Sequence, residues 1–182
     1  FRFFGEEKYS KIISKKIVKN RKPKEIHTED LVEIINLAKK NYTKKNKSTK
    51  VFQALRIFVN NEISELIIGL SKSCNLVSKN GVIAVVTFHS IEDRICKFFF
   101  NELSSLRKVS RYLPINNTSE ISFNLIKKKP IIPTKTEIEK NPPSRSAKLR
   151  AVKKIRINKI DTKFIFEKFK YLLEVENISL NL

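Results

Sequence analysis

The stretch GVIAVVTFHSIEDR, residues 81–94, sets a short β-branched apolar run directly against a polar cluster. Val82–Phe88 has no apolar/polar alternation, which predicts a strand buried on both faces, as in a parallel sheet covered by helices. A helix is expected from about Ile91 to Leu106, burying Ile95, Phe98, Phe99 and Leu103. In open α/β sheets, ligands bind at the carboxyl ends of the strands. His89 and Ser90 lie at that end of this strand, and His89 is one of only two histidines in the chain. They are therefore candidates for the rim of a substrate pocket. A purely local reading competes with this one. Ser90 can cap the following helix, with Asp93 at the third helical position reaching back and Glu92 favouring the helix dipole.

Working outward, 182 residues suffice for one domain with a real core. At 41% hydrophobic the chain is too apolar for a disordered one, despite 31% charged residues. No apolar run approaches the ~20 residues needed to span a bilayer, and the charged start FRFFGEEKYSKIISKK is unlike a signal peptide. Lys and Arg number 38 against 18 Asp and Glu, a net charge of +20. Such a charge attracts polyanions, nucleic acid first among them. The Lys-, Asn- and Ile-rich composition also suits an AT-rich genome. Cys74 and Cys96 have no metal-ligand spacing and read as small core residues, which fits a reducing cytoplasm. The chain has no methionine and begins with Phe1, so a piece of a longer protein is expected.

Along the chain, residues 6–20 carry Tyr9, Ile12, Ile13 and Ile17 on one helical face, with an end before Pro23. Thr28 is expected to cap a second helix whose buried stripe is Leu31, Ile34, Ile35 and Ala38 and which closes at Lys39 and Lys40. A basic loop, 41–50, leads to a third helix with Phe52, Leu55, Val59, Ile63 and Leu66 at helical spacing, continuing through Leu70, Cys74 and Leu76. After the 81–94 stretch, residues 107–120 read as irregular, Ser122–Lys127 as a strand and Ala147–Ile155 as a last strand. Residues 127–159 hold twelve Lys/Arg and two acids, the strongest basic block. Phe164–Leu173 is amphipathic. Helix, strand and helix in succession indicate an α/β sheet rather than a bundle.

Several chemistries find little support. The nucleophile-elbow pattern is absent, and His89 and Ser90, adjacent in extended backbone, point apart, which weakens a hydrolase built on His89 with Asp93 or Glu92. No His, Cys and carboxylate set has metal-ligand spacing. The chain's glycines, Gly5, Gly69 and Gly81, form no phosphate-binding loop.

Four segments in order carry a resemblance: GEEKYSKIISKKIV (5–18), FQALRIFVNNEISEL (52–66), NGVIAVVTFHSIEDRICKFF (80–99) and NPPSRSAKLRAVKKI (141–155). Together they resemble the bacterial ribosomal RNA small subunit methyltransferase H family, over roughly residues 1–155. In the last segment the family's usual Asn-Pro-Arg-x-Arg-Ser becomes Asn141-Pro142-Pro143-Ser144-Arg145-Ser146, without the first arginine. The resemblance implies the C-terminal portion of an S-adenosylmethionine-dependent enzyme that methylates N4 of a cytosine in small-subunit rRNA, in the cytoplasm. It implies a partial class I, Rossmann-like α/β methyltransferase fold with a helical insertion. Residues 1–75 would then be part of the insertion, 76–155 the end of the sheet domain, and 156–182 a basic, amphipathic tail without a counterpart. The family's cofactor-binding motifs are expected upstream, so no residue of this chain inherits a cofactor contact, and this portion alone is expected to be inactive. Its partner would be the small ribosomal subunit, with no membrane. Lys50, Arg56, Arg145, Lys148 and Arg150 become candidate phosphate contacts. For Arg56 the alternative is a helix-surface pair with its Asn60 or Glu62 neighbours, and for 145–150 a solvated edge strand. The alternative function is a non-catalytic basic RNA-binding module.

Overall fold

The computed structural model describes residues 1–21, 26–39, 46–105 and 121–178. Its elements are α1 (Arg2–Gly5), α2 (Ser10–Asn20), α3 (Thr28–Ala38), α4 (Thr49–Asn60), α5 (Glu62–Leu76), β1 (Val82–Thr87), α6 (Ser90–Ser104), β2 (Phe123–Leu125), α7 (Lys135–Lys140), a 3₁₀ segment (Pro142–Ser146), β3 (Lys148–Lys154), α8 (Lys163–Lys168) and α9 (Lys170–Asn177). The chain forms two compact units. One is Phe1–Glu62 with the residues from Glu174, and the other is Ile63–Leu173.

The first unit is helical. Ile13, Ile35 and Val51 are fully buried, with Ile17, Leu31, Ala38 and Leu55 packed around them. Each such side chain contributes about 1.5–3 kcal/mol through removal from water. The helix read over 6–20 starts later, at Ser10, and a turn over 6–9 separates it from α1. A left-handed residue, Glu6 (φ 47°), ends α1. Gly5 lets α1 approach α4 closely: a Cβ on it would clash with the backbone oxygen of Lys50. Glu7 is buried and pairs with Lys39, while accepting the Tyr9 N–H at 2.9 Å. Burial pushes its carboxyl up, but the Lys39 and Tyr9 hydrogen bonds outweigh that and hold it below the ordinary value.

The N-cap of α3 is His27 rather than Thr28, with Asp30 accepting the His27 N–H at 3.0 Å. Lys39 ends the helix, whereas Lys40, most of the 41–50 loop, the turn at Pro23 and the 107–120 segment lie outside the described residues. The third helix of the sequence reading is broken. Asn61 adopts the left-handed conformation (φ 52°) and separates α4 from α5. The break shifts the buried stripe of α4 to Val51, Ala54 and Ile57, leaving Val59 72% exposed.

In the second unit, β1, β3 and β2 form one sheet in that order, and both pairings are antiparallel. The register runs from Val82 opposite Lys153 to Thr87 opposite Lys148. This corrects the reading of Val82–Phe88 as a parallel strand buried on both faces. Its apolar residues do face both ways, but α6 covers only the face that carries Ile83 and Thr87. Val82 and Val86, on the other face, are half exposed. Asn80, with φ 68°, turns the chain into β1, its N–H donating to the Lys154 carbonyl at 2.8 Å.

The amphipathic tail forms two short helices, not one. Phe164 stacks on Phe99 with ring centres 5.7 Å apart, and Phe169 meets Phe98 edge-on at 5.5 Å. Ile165, Phe169 and Leu172 are buried. The tail thus supplies the apolar cover that the Phe98/Phe99 face of α6 requires.

Candidate functional site

The polar cluster of the 81–94 stretch sits where β1 ends and α6 begins. Thr87 is buried, and its hydroxyl donates to the Lys148 carbonyl at 3.3 Å. The backbone then turns, and its exposed donors need acceptors. Glu92 provides them: one carboxylate oxygen accepts the Phe88 N–H at 2.8 Å and the His89 N–H at 3.3 Å. In return the Glu92 N–H donates to His89 Nδ1 at 3.4 Å. The N-cap is therefore His89, and its reciprocal partner is Glu92. Ser90 is the first helical residue, and Asp93 does not take part in the box. The cap moved one residue because the imidazole nitrogen serves as the acceptor usually supplied by a hydroxyl or carboxylate.

This cap fixes the chemistry of His89. A neutral ring whose Nδ1 accepts carries its proton on Nε2. The side chain is only 7% exposed, and Nε2 lies 3.2 Å from the other Glu92 oxygen. The contact is close but poorly aligned, so Nε2 is a buried donor without a hydrogen-bond acceptor. Burial raises the Glu92 carboxyl; the adjacent His89 imidazole and the hydrogen bonds from the Phe88 and His89 N–H groups outweigh that and leave it below the ordinary value.

Asp93 has a different task. Arg150 Nε donates to one of its oxygens at 2.7 Å and Lys148 Nζ to the other at 3.1 Å. Burial pushes its carboxyl up, and the two cations more than reverse that. These bonds tie α6 to β3. Lys148 and Arg150 alternate with Leu149 and Ala151, so both face α6 along with the buried Val152. β3 is the middle strand, which corrects the solvated-edge alternative for this block.

Arg145 is exposed on the 3₁₀ segment that leads into Lys148, and Ser144 beside it is buried with its hydroxyl unpartnered. The structure thus gathers His89, Ser90, Lys148 and Arg150 at one end of the sheet, with Arg145 on the approach to it. Lys50 and Arg56 belong to the other unit. Lys50 Nζ donates to the Glu6 carbonyl at 3.0 Å. Arg56 forms a two-pronged pair with Glu62 at 2.8 and 3.0 Å, the alternative foreseen for it. Sequence reasoning missed Glu92 as a pivot, Asp93 as the anchor of two cations, and Ser144. Only the second left a signal: two basic residues facing inward on one strand require a carboxylate opposite.

This end of the sheet thus holds a buried imidazole and two cations anchored on one carboxylate. A family profile described as the MraW methylase family matches residues 1–155, and the chain belongs to that family of methyltransferases. It is 49% identical over 153 residues to the ribosomal RNA small subunit methyltransferase H of Borreliella afzelii, covering 83% of this chain and 47% of that one. The protein of the same name from Oceanobacillus iheyensis is 41% identical over 169 residues, covering 90% and 51%. That from Streptococcus mutans is 43% identical over 158 residues, covering 84% and 50%. The chain therefore spans about half the length of the curated relatives it matches. Among the described residues, no helix is long and apolar enough to cross a membrane.

Proposed function

We propose that this chain is the carboxy-terminal part of an S-adenosylmethionine-dependent methyltransferase acting on N4 of a cytosine in small-subunit rRNA, working in the cytoplasm. The observation that carries this reading is the family match across residues 1–155. The sheet supports the finer fold, a partial class I domain. Among the described residues β1 is paired on one edge only, and Val82, Val86 and Phe88 are half exposed. A larger sheet and a further layer would cover them.

The residues present do not themselves offer a cradle for S-adenosylmethionine. Gly5 is taken up by the approach to Lys50, Gly81 lies in the turn before β1, and Gly69 is on the exposed side of α5. The cofactor, which would supply the methyl group, is assigned to the remainder of the protein. The role of this chain is to hold the RNA. Cytosine's exocyclic amine is a weak nucleophile, so the base must be turned out of its stack and oriented. His89 Nε2–H, buried and lacking an acceptor, is suited to donate to the base or adjacent backbone. Ser90 shares that rim. Arg145 is suited to a phosphate. Lys148 and Arg150 act through Asp93 as supports of the wall, with Lys148, 40% exposed, also able to reach RNA. Lys50 and Arg56, in the helical unit, are further candidates for phosphate contacts.

The test is complementation of a deletion strain with the whole gene and with its His89→Ala form, reading N4-methylcytosine in small-subunit rRNA by mass spectrometry. Deletion should abolish the mark. His89→Ala should lower the methylation rate of purified enzyme by about 10–100-fold. A mark that survives deletion overturns the assignment.

A further inference from the structure

β1 has a second polar neighbourhood at its opposite end. Six residues of strand, about 20 Å at ~3.3 Å per residue, separate it from the His89 cap. There a cleft of about 1090 Å³ opens between the last turns of α5 and the segment 154–166. Asn75 fixes its width: its Nδ2 donates to the Ile160 carbonyl at 3.2 Å, and its Oδ1 accepts the Ile160 N–H at 2.8 Å.

Two buried polar groups line this cleft. Lys154 is 4% exposed and lies 5.8 Å above the ring of Phe123. Its ammonium has three donors, and among the described residues its one hydrogen-bond acceptor is the Cys74 carbonyl at 2.9 Å. Ser71, at 9% exposure, has a hydroxyl with no hydrogen-bond partner among the described residues. The walls are apolar. Leu76 and Ile157 are 82% and 83% exposed, and Ile68 and Phe166 complete them. Lys72, Lys79 and Lys159 stand around the cleft, and no carboxylate lines it.

We propose that this cleft binds an amphiphilic anion, its carboxylate or phosphate head on Lys154 and Ser71 and its apolar body between Leu76, Ile157 and Phe166. A cation would meet four lysines and no counter-charge. A neutral apolar molecule would leave the buried ammonium and hydroxyl unserved, which is costly in a desolvated site. A bare phosphate would leave the exposed apolar walls in water. A molecule with one anionic head on an apolar body satisfies all three. The volume lies just above the usual range of small-molecule sites, about 300–1,000 Å³.

Calorimetric titration of the full-length protein with decanoate, 1-naphthyl phosphate and inorganic phosphate tests this. Saturable one-to-one binding of at least one amphiphile is expected, with inorganic phosphate weaker by about a hundredfold for want of the apolar contact. Preference for decanoate identifies a carboxylate-headed ligand, and preference for 1-naphthyl phosphate a phosphate-headed one. Lys154→Met should weaken binding by about tenfold or more, the worth of a charge-assisted bond. Should Lys154→Met fail to fold, Ile157→Asp, at a largely exposed position, carries the test by the same loss. Absence of saturable binding, as when the rest of the protein fills the cleft, overturns the proposal. So does binding that neither variant alters.

Discussion

The two ends of β1 treat buried charge in opposite ways. At the carboxyl end, Glu92 serves two backbone donors and the imidazole, and Asp93 serves Arg150 and Lys148. At the amino end, Lys154 has one acceptor and Ser71 none. All three cations come from β3 and lie on the same face of it. The difference is which carboxylates oppose them: α6 brings Asp93 to Lys148 and Arg150, and nothing acidic lines the cleft by Lys154. The paired charges of Asp93, Arg150 and Lys148 stiffen one end of the sheet, whereas the poorly served Lys154 ammonium at the other leaves capacity for an anion.

Removing the anchor at the satisfied end should have the largest effect. Asp93→Asn leaves Arg150, whose side chain is 10% exposed, without its counter-charge, and should cost about 3 kcal/mol in denaturant unfolding. If the loss is no larger than that from Lys148→Ala, the network is not the anchor described. The second effect is on acid stability. A carboxyl held low in the folded chain contributes stability above its unfolded value, near pH 4, and loses it as pH falls through the folded value. Both Glu92 and Asp93 are held low. Stability should therefore fall as pH drops below about 4, and Glu92→Gln should flatten that slope while costing about 1 kcal/mol near neutrality. An unchanged slope in melts across this range would count against the Glu92 network. The smallest effect belongs to the other end. Lys154→Met should shift stability by no more than about 1 kcal/mol in either direction, because replacing a poorly served buried cation by an apolar isostere is close to neutral. A loss as large as that of Asp93→Asn would erase the contrast between the ends.

Local patterns were legible from sequence to the extent that local chemistry decided them. The strand at Val82, the helix after it and the strand ending near Ile155 follow from residue type and spacing. What could not be read was set by partners distant in sequence. Val82–Phe88 has apolar residues on both faces, so nothing in it announces that β3 pairs antiparallel or that one face is half exposed. The cap was misplaced by one residue because Ser90 and Asp93 form an acceptable box on paper, and only the backbone turn at Phe88 selects His89 and Glu92. The pair of Arg56 with Glu62 lay among the alternatives open to sequence because its partner is only six residues away. The Lys154 cleft was invisible, since it depends on α5 and on a tail that follows the family match.

The order of the strands bears on how the chain is made. β3 stands between β1 and β2 yet is the last of the three to be synthesised, and Lys148 pairs with Thr87 across 61 residues. At about 5–20 residues per second, roughly 3–12 s pass between the emergence of these partners. For that interval the edge of β1 that β3 will take stays unpaired, a period in which the strand is open to pairing with another chain.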